Sequence, residues 1–434
     1  MTKSNFLILS LLLVAEILIG YGMLMVTQGA PQPPASVPVA GENEQPQETQ
    51  NQEQEEEPAP EPLPSPPVPI ELPKVQLTPQ GQLANPPETI KAVYLTSWSG
   101  GSATRINYVI DLAKTTEVNA VVIDIKDFSG ELAYDTAVPE VELYNGENIK
   151  IWNMASTVRR LHDAGIYVIA RVTVFQDPVL ANARPDLAVQ SKQGQGIWKD
   201  YKGLSWIDPS AKEAWNYTVA IAQDAAARGF DEINFDYIRF PSDGDLKDMT
   251  FPSADGTKTR RETMKEFFAY LEQNLRGITI SADLFGLSTS SRDDLGIGQV
   301  IEDAYWHFDY VYPMVYPSHY ANGYNGYANP AEHPYEVVHF SMQAAQSRLD
   351  ALQLANPNQT FAKLRPWLQD FDLGADYDSL MVQAQIQAAA DALGQNFSGF
   401  LVWAPTNWYT QQALLPFVFD RAAYNARLNP AVGL

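Results

Sequence analysis

From residue 88 onward the apolar positions change period in a regular way. Runs of β-branched and aromatic residues bounded by turn residues alternate with stretches in which apolar positions recur at helical spacing. The runs at 91–97, 118–126, 166–172, 232–240, 278–285, 310–316, 363–370 and 399–404 predict strands. The stretches at 151–164, 212–228 and 378–393 predict amphipathic helices, closed by Gly165, Gly229 and Gly394. On 212–228, Trp215, Val219, Ala222 and Ala226 lie near one face. Strand-then-helix units repeated eight times place residues 88–434 in the α/β class, as a (β/α)8 TIM barrel. An open doubly wound sheet is the alternative. It is disfavoured because no glycine-rich dinucleotide turn follows the first strand and because inward strand positions are polar.

Upstream the pattern differs. Residues 6–26 are almost wholly apolar and long enough to cross a bilayer. Lys3 precedes the run and the next basic residue is Lys74, which orients the N-terminus to the cytoplasm. Glu16 interrupts the run, at a cost of roughly 2.5–3.5 kcal/mol at mid-bilayer. Residues 1–26 therefore predict a signal anchor, an N-terminal transmembrane helix. A cleaved signal peptide is the competing reading, with Thr27-Gln28-Gly29 as its best cleavage pattern. Residues 27–87 are rich in Pro, Glu and Gln and predict a disordered linker, extended by its own charge. The expected location is the cell membrane with the barrel outside, or secretion if the segment is cleaved.

Composition narrows the function. The chain has no cysteine, which excludes a disulfide scaffold and a thiolate metal site. Its net charge of -23 argues against nucleic acid as a partner and leaves the N-terminal segment as the membrane contact. His307, His319 and His333 are too scattered for a metal centre, and no cofactor is expected. Asp208-Pro209 reads as a helix cap followed by a first-turn proline.

The fourth strand is the most informative. Ile233, Phe235 and Tyr237 share one face; Asn234, Asp236 and Ile238 share the other. Inward positions given to an amide and a carboxylate are costly unless they serve a site. In a TIM barrel such a site lies at the C-terminal ends of the strands. There the sequence offers Trp98, Asp124 and Lys126, Arg171, Asn234, Asp236 and Arg239, Ser281 and Asp283, Tyr316, Trp367, and Trp403. Asp236 and Asp283 end adjacent strands. Two carboxylates facing one bond are what glycoside hydrolysis needs, one as acid and one as nucleophile or base. Arg171 and Lys126 are expected to keep a carboxylate charged. An interior salt-bridge network serving only the fold is the alternative for these groups. Nine Trp and twenty-one Tyr include many in strand-to-helix loops, as expected of a surface that stacks on sugar rings. Tyr320 and Tyr324, in a long Gly- and Asn-rich loop, are expected to be exposed and Tyr320 to bind substrate.

The runs Ala120-Val121-Val122-Ile123-Asp124-Ile125-Lys126-Asp127, Gly165-Ile166-Tyr167-Val168-Ile169-Ala170-Arg171, Phe235-Asp236-Tyr237-Ile238-Arg239-Phe240-Pro241, Tyr312-Pro313-Met314-Val315-Tyr316-Pro317 and Arg365-Pro366-Trp367-Leu368-Gln369-Asp370 resemble the bacterial "putative glycoside hydrolase" domain family. The resemblance covers about 91–408. It implies a barrel similar to the α-amylase-like hydrolases, whose nucleophilic Asp closes the fourth strand as Asp236 does. Where those enzymes carry a Glu acid on the fifth strand and an Arg two residues before the nucleophile, this chain has Asp283 and Asn234. The fourth strand is also similar to the chitinase pattern Asp-x-x-Asp-x-Asp-x-Glu, with Ile238 in place of its Glu. The expected partner is a polysaccharide or oligosaccharide, cleaved with Asp236 and Asp283 as catalytic residues. A non-catalytic glycan-binding or envelope-scaffolding barrel is the second reading.

Overall fold

The computed structural model describes residues 80–194 and 196–428. The expected membrane segment and most of the expected linker lie outside them. No helix among the described residues is long and apolar enough to cross a membrane.

Eight parallel strands close into a barrel: β1 (Ile90–Leu95), β2 (Ala120–Lys126), β3 (Tyr167–Thr173), β4 (Glu232–Asp236), β5 (Thr279–Phe285), β6 (Tyr310–Met314), β7 (Trp367–Gln369) and β8 (Gly399–Trp403). Each is hydrogen-bonded to its neighbour in chain order, and β8 returns to β1 with Gly399 opposite Ile90. That seam requires glycine. Gly399 has φ +118, and a Cβ there would lie 1.8 Å from the Ile90 carbonyl oxygen. The helices that follow the strands are α1 (Ala103–Thr115), α2 (Met154–Asp163), α3 (Lys212–Ala227), α4 (Arg260–Asn274), α5 (Ile301–Tyr305), α6 (Pro334–Ala355), α7 (Ser379–Leu393) and α8 (Arg421–Leu428). Local chemistry sets their starts: Asn153 caps α2, and Thr259 with Glu262 forms a capping box on α4.

Two buried layers follow from the period-two alternation of the strands. Outward residues such as Val93, Val121, Val168 and Ile233 pack beneath the helices. Inward residues, including Ala92, Tyr94, Val122, Ile169, Tyr312 and Leu401, fill the barrel. Its lower interior holds a charge pair. Glu232, at the start of β4, accepts from the Arg365 guanidinium and from the Tyr167 hydroxyl, each at 3.2 Å, and from the Tyr312 hydroxyl. These donors satisfy a carboxylate otherwise too costly to bury. Residues 80–83, from the end of the expected linker, run against the barrel: the Gln80 amide donates to the Ala227 carbonyl and the Leu83 amide to Asp231.

Two expected strands stop or divide inside their apolar runs for a backbone reason. The fourth stops at Asp236 because Tyr237 takes a left-handed conformation, φ +52. The seventh divides into Lys363–Leu364 and Trp367–Gln369 around Pro366, which has no amide hydrogen to donate.

Candidate active site

The C-terminal mouth of the barrel is organised around one guanidinium. Arg171, inward on β3, reaches three carboxylates from three strands. Its Nη1 donates to Asp124 Oδ1 on β2 at 2.5 Å, its Nη2 to Asp236 Oδ2 on β4, and its Nε lies 3.5 Å from Asp283 Oδ2 on β5. Register places them together: Asp124 is opposite Arg171, and Asn234 is opposite both Arg171 and Ser281. Burial alone would lower the Arg171 pKa. The charges of Asp124 and Asp236 outweigh it and hold the guanidinium well above its ordinary value.

The three acids differ in environment. Asp283 is 1% exposed, and its Oδ1 accepts from Asn234 Nδ2 at 2.9 Å and Trp367 Nε1 at 2.8 Å. Burial, then the like charge of Asp236, pushes its carboxyl well above the usual range, against the pull of Arg171. Asp124 is pushed up to about 6, chiefly by burial; Arg171 and the Tyr94 hydroxyl pull the other way. Asp236 accepts from Arg171 on one oxygen and from the Tyr237 amide, at 2.6 Å, on the other. Tyr237 itself takes a left-handed conformation, φ +52, directly after this carboxylate. An aromatic residue in this conformation is backbone strain that the surrounding packing must hold.

The structure thus brings Asp124, Arg171, Asn234, Asp236, Asp283 and Trp367 into one connected group. Asn234 and Trp367 face Asp283 rather than open space, and hold it in place. Tyr316 and Trp403 form the adjoining wall, their rings 5.3 Å apart. Trp98 stands at the rim on the short helix Ser97–Gly100, 69% exposed.

Three expected binding residues are placed elsewhere. Lys126 does not share the face of Asp124, because the pairing register shifts between them. Its ammonium is buried against Asp177 Oδ2 and the Thr173 carbonyl, each at 2.8 Å. Lys126→Met is therefore expected to cost about 3–5 kcal/mol of stability, by leaving Asp177 unpaired, with KM unchanged per folded molecule. Urea unfolding beside steady-state kinetics checks this. Arg239 is 6% exposed and lies against the rings of Trp206, Tyr237 and Phe285. Its Nη1 donates to the Phe240 carbonyl and to Ser242 Oγ. Tyr320 is half-buried: its ring packs on Tyr324 at 4.2 Å and its hydroxyl meets Ser341 Oγ of α6 at 3.0 Å. Tyr324 turns the same way, so neither is the free platform expected.

Sequence reasoning missed Tyr94 and Tyr409. Tyr94, inward on β1, donates to Asp124, and its backbone amide donates to the Tyr409 hydroxyl at 2.8 Å. The alternation Ala92, Tyr94 on β1 carried that signal. Tyr409 lies beyond the last strand, where no period marks it.

Fold and site together define a closed (β/α)8 barrel with an acid-lined mouth. The chain belongs to the family described as "Putative glycosyl hydrolase domain", whose profile matches residues 92–409. Among solved structures, a hypothetical protein from Ruminiclostridium thermocellum ATCC 27405 is 41% identical, with 47% of this chain and 98% of that one covered and a TM-score of 0.42. The α-L-fucosidase isoenzyme 2 of Paenibacillus thiaminolyticus is 11% identical, with 79% of this chain and 50% of that one covered and a TM-score of 0.50. The α-galactosidase TtGalA of Thermus thermophilus is 13% identical, with 81% and 62% covered and a TM-score of 0.47. The chain spans half the length of the fucosidase, and a likeness at that identity concerns the barrel alone. No curated protein sequence matches the chain.

Proposed function

We propose that the protein is a glycoside hydrolase that cleaves a polysaccharide or oligosaccharide by a two-carboxylate mechanism. The observation that carries this reading is the sharing of Arg171 by Asp236 and Asp283. Carboxylates held on neighbouring nitrogens of one guanidinium have their nearest oxygens within about 8 Å of each other, a span that serves glycosidic cleavage. Asp283, whose proton is retained by burial and by the charge of Asp236, gives that proton to the glycosidic oxygen as the bond to the anomeric carbon breaks. Asp236 either attacks that carbon, water then displacing it with its proton passing to Asp283, or takes a proton from the water that attacks directly. Asn234 and Trp367 position the acid. Arg171 and Tyr94 set the charge and orientation of the group around it.

Asp124 is the second candidate for the acid, favoured by a carboxyl at about 6 beside the same guanidinium. Leaving-group dependence separates the two. An aryl glycoside with a p-nitrophenolate leaving group needs little protonation, whereas a sugar leaving group needs it fully. Asp283→Ala is expected to lose about 10²–10⁴-fold in turnover on the natural glycan, and far less on the aryl glycoside. The same split in Asp124→Ala, with a uniform loss in Asp283→Ala, would transfer the acid role to Asp124.

The cell surface as the place of action rests on the apolar and linker-like patterns of residues 1–87. Protease accessibility of the barrel on intact cells tests it.

A further inference from the structure

Three tryptophans on consecutive mouth loops are exposed: Trp408 after β8 (51%), Trp98 after β1 (69%) and Trp152 between β2 and α2 (84%). Rings this exposed leave much of their apolar surface uncovered by the fold. These loops are nevertheless fixed. Gly101 packs so closely on the Trp152 loop that a Cβ would lie 1.9 Å from the Lys150 carbonyl oxygen. On the other side, the Thr96 amide donates to Asn407 Oδ1 at 2.9 Å, and Asn407 itself sits at φ +56. The Trp408 ring is backed by the Arg105 guanidinium, 3.5 Å from its centre, and by Tyr108 at 4.5 Å. Lys150 Nζ lies 5.6 Å from the centre of the Trp98 ring. Each tryptophan is thus within three residues of a contact that ties its loop to the next.

We propose that Trp408, Trp98 and Trp152 form an aromatic track that binds several consecutive sugar units of a glycan chain, outside the position where the bond is cut. The proposal rests on the reading of the mouth as a glycosidase site, and it names the substrate class as a polymer rather than a disaccharide. Continuity with the mouth argues for this occupant. The strands beneath the track, β1 and β2, supply Tyr94 and Asp124, which are bonded to each other and, through Arg171, to Asp236. A chain leaving the acids on this side passes over these loops. A flat ring covers the C–H face of a pyranose and leaves its hydroxyls hydrated. Loops already fixed lose little further freedom when the sugar docks.

The test separates binding from cleavage. In the Asp236→Asn background, native gels cast with soluble β-glucan, galactan, xylan, glycol chitin or starch measure retardation without turnover. The expected result is retardation by one of these polymers, weakened at least tenfold in Kd by Trp98→Ala, Trp152→Ala and Trp408→Ala combined. Leu354→Ala, an exposed apolar change at the far end of α6, is expected to leave it intact. With Asp236 present, the triple variant is expected to raise the ratio of polymer KM to short-oligosaccharide KM about tenfold. Retardation that survives the triple change overturns the track, as does an unchanged KM ratio. So does concentration-dependent self-association that the triple change abolishes, seen in sedimentation without binding to any polymer. Binding by the track with no turnover of any glycan would support the track and count against the hydrolase reading instead.

Discussion

Asp236→Asn is expected to lower turnover of the glycan substrate by about 10⁴-fold while the barrel stays folded. The amide has the shape of the carboxylate. Its oxygen still accepts a hydrogen bond, so either the Arg171 contact or the Tyr237 contact survives. What is lost is the negative charge that, in the proposed mechanism, attacks the anomeric carbon or takes a proton from the water beside it. Stability is expected to change little, because Asp124 and Asp283 still face the guanidinium. A second consequence follows from the coupling of the two acids. The charge of Asp236 is a cause of the raised Asp283 carboxyl, so its removal lets Asp283 release its proton at lower pH. Isotope-edited infrared titration of the Asp283 carboxyl in the parent and in Asp236→Asn reads that shift directly. A carboxyl that titrates identically in both would deny the coupling on which the acid assignment rests.

Arg171→Met is expected to destabilise the barrel strongly. Three buried or nearly buried carboxylates lose the one cation they share, and breaking such an arrangement costs about 3–5 kcal/mol. The loss depends on pH with a definite sign. Asp124 already holds its proton to about 6 in the folded protein, against 3.8 for an ordinary aspartate. Its contribution is therefore fully present below about pH 4 and is lost as pH rises through 6. Without Arg171 the Asp124 and Asp283 carboxyls are raised further, and more protein stability is lost in the same direction. Urea unfolding at several pH values is expected to show the greatest deficit near pH 8 and a shrinking one toward pH 4. An equal deficit at both ends would mean that Arg171 supports the mouth through packing rather than charge.

Much of this architecture was legible because the signals were local. The strand runs, the closing glycines and the alternation through Asn234 and Asp236 all depend on neighbours a few residues apart. The residues 233–236 display which side chains face inward, and the position of Asp283 follows by the same rule on the next strand. Lys126 was misplaced for the converse reason. One register shift after Asp124 turns it out of the mouth, and nothing in Ile123-Asp124-Ile125-Lys126 announces that shift. The turn at Tyr237, an aromatic residue where glycine is the usual choice, is equally silent in sequence. Tyr320 was read from loop composition, which signals a surface segment but not which way a ring turns within it. Asn407, Trp152 and Trp408 lie in irregular loops, and their relation to Trp98 exists only once the barrel has brought β8, β1 and β2 side by side.

In the proposed function, the Asp236–Asp283 mouth cuts a glycosidic bond at the anomeric carbon. The most direct measurement is digestion of a panel of envelope and storage glycans in ¹⁸O-water, with mass analysis of the new reducing ends and Asp236→Asn as control. One ¹⁸O is expected at the anomeric hydroxyl of each newly formed reducing end from the parent protein, none on the leaving fragment, and almost no product from the variant. New reducing ends without the label, or equal release by the variant, would rule that cleavage out.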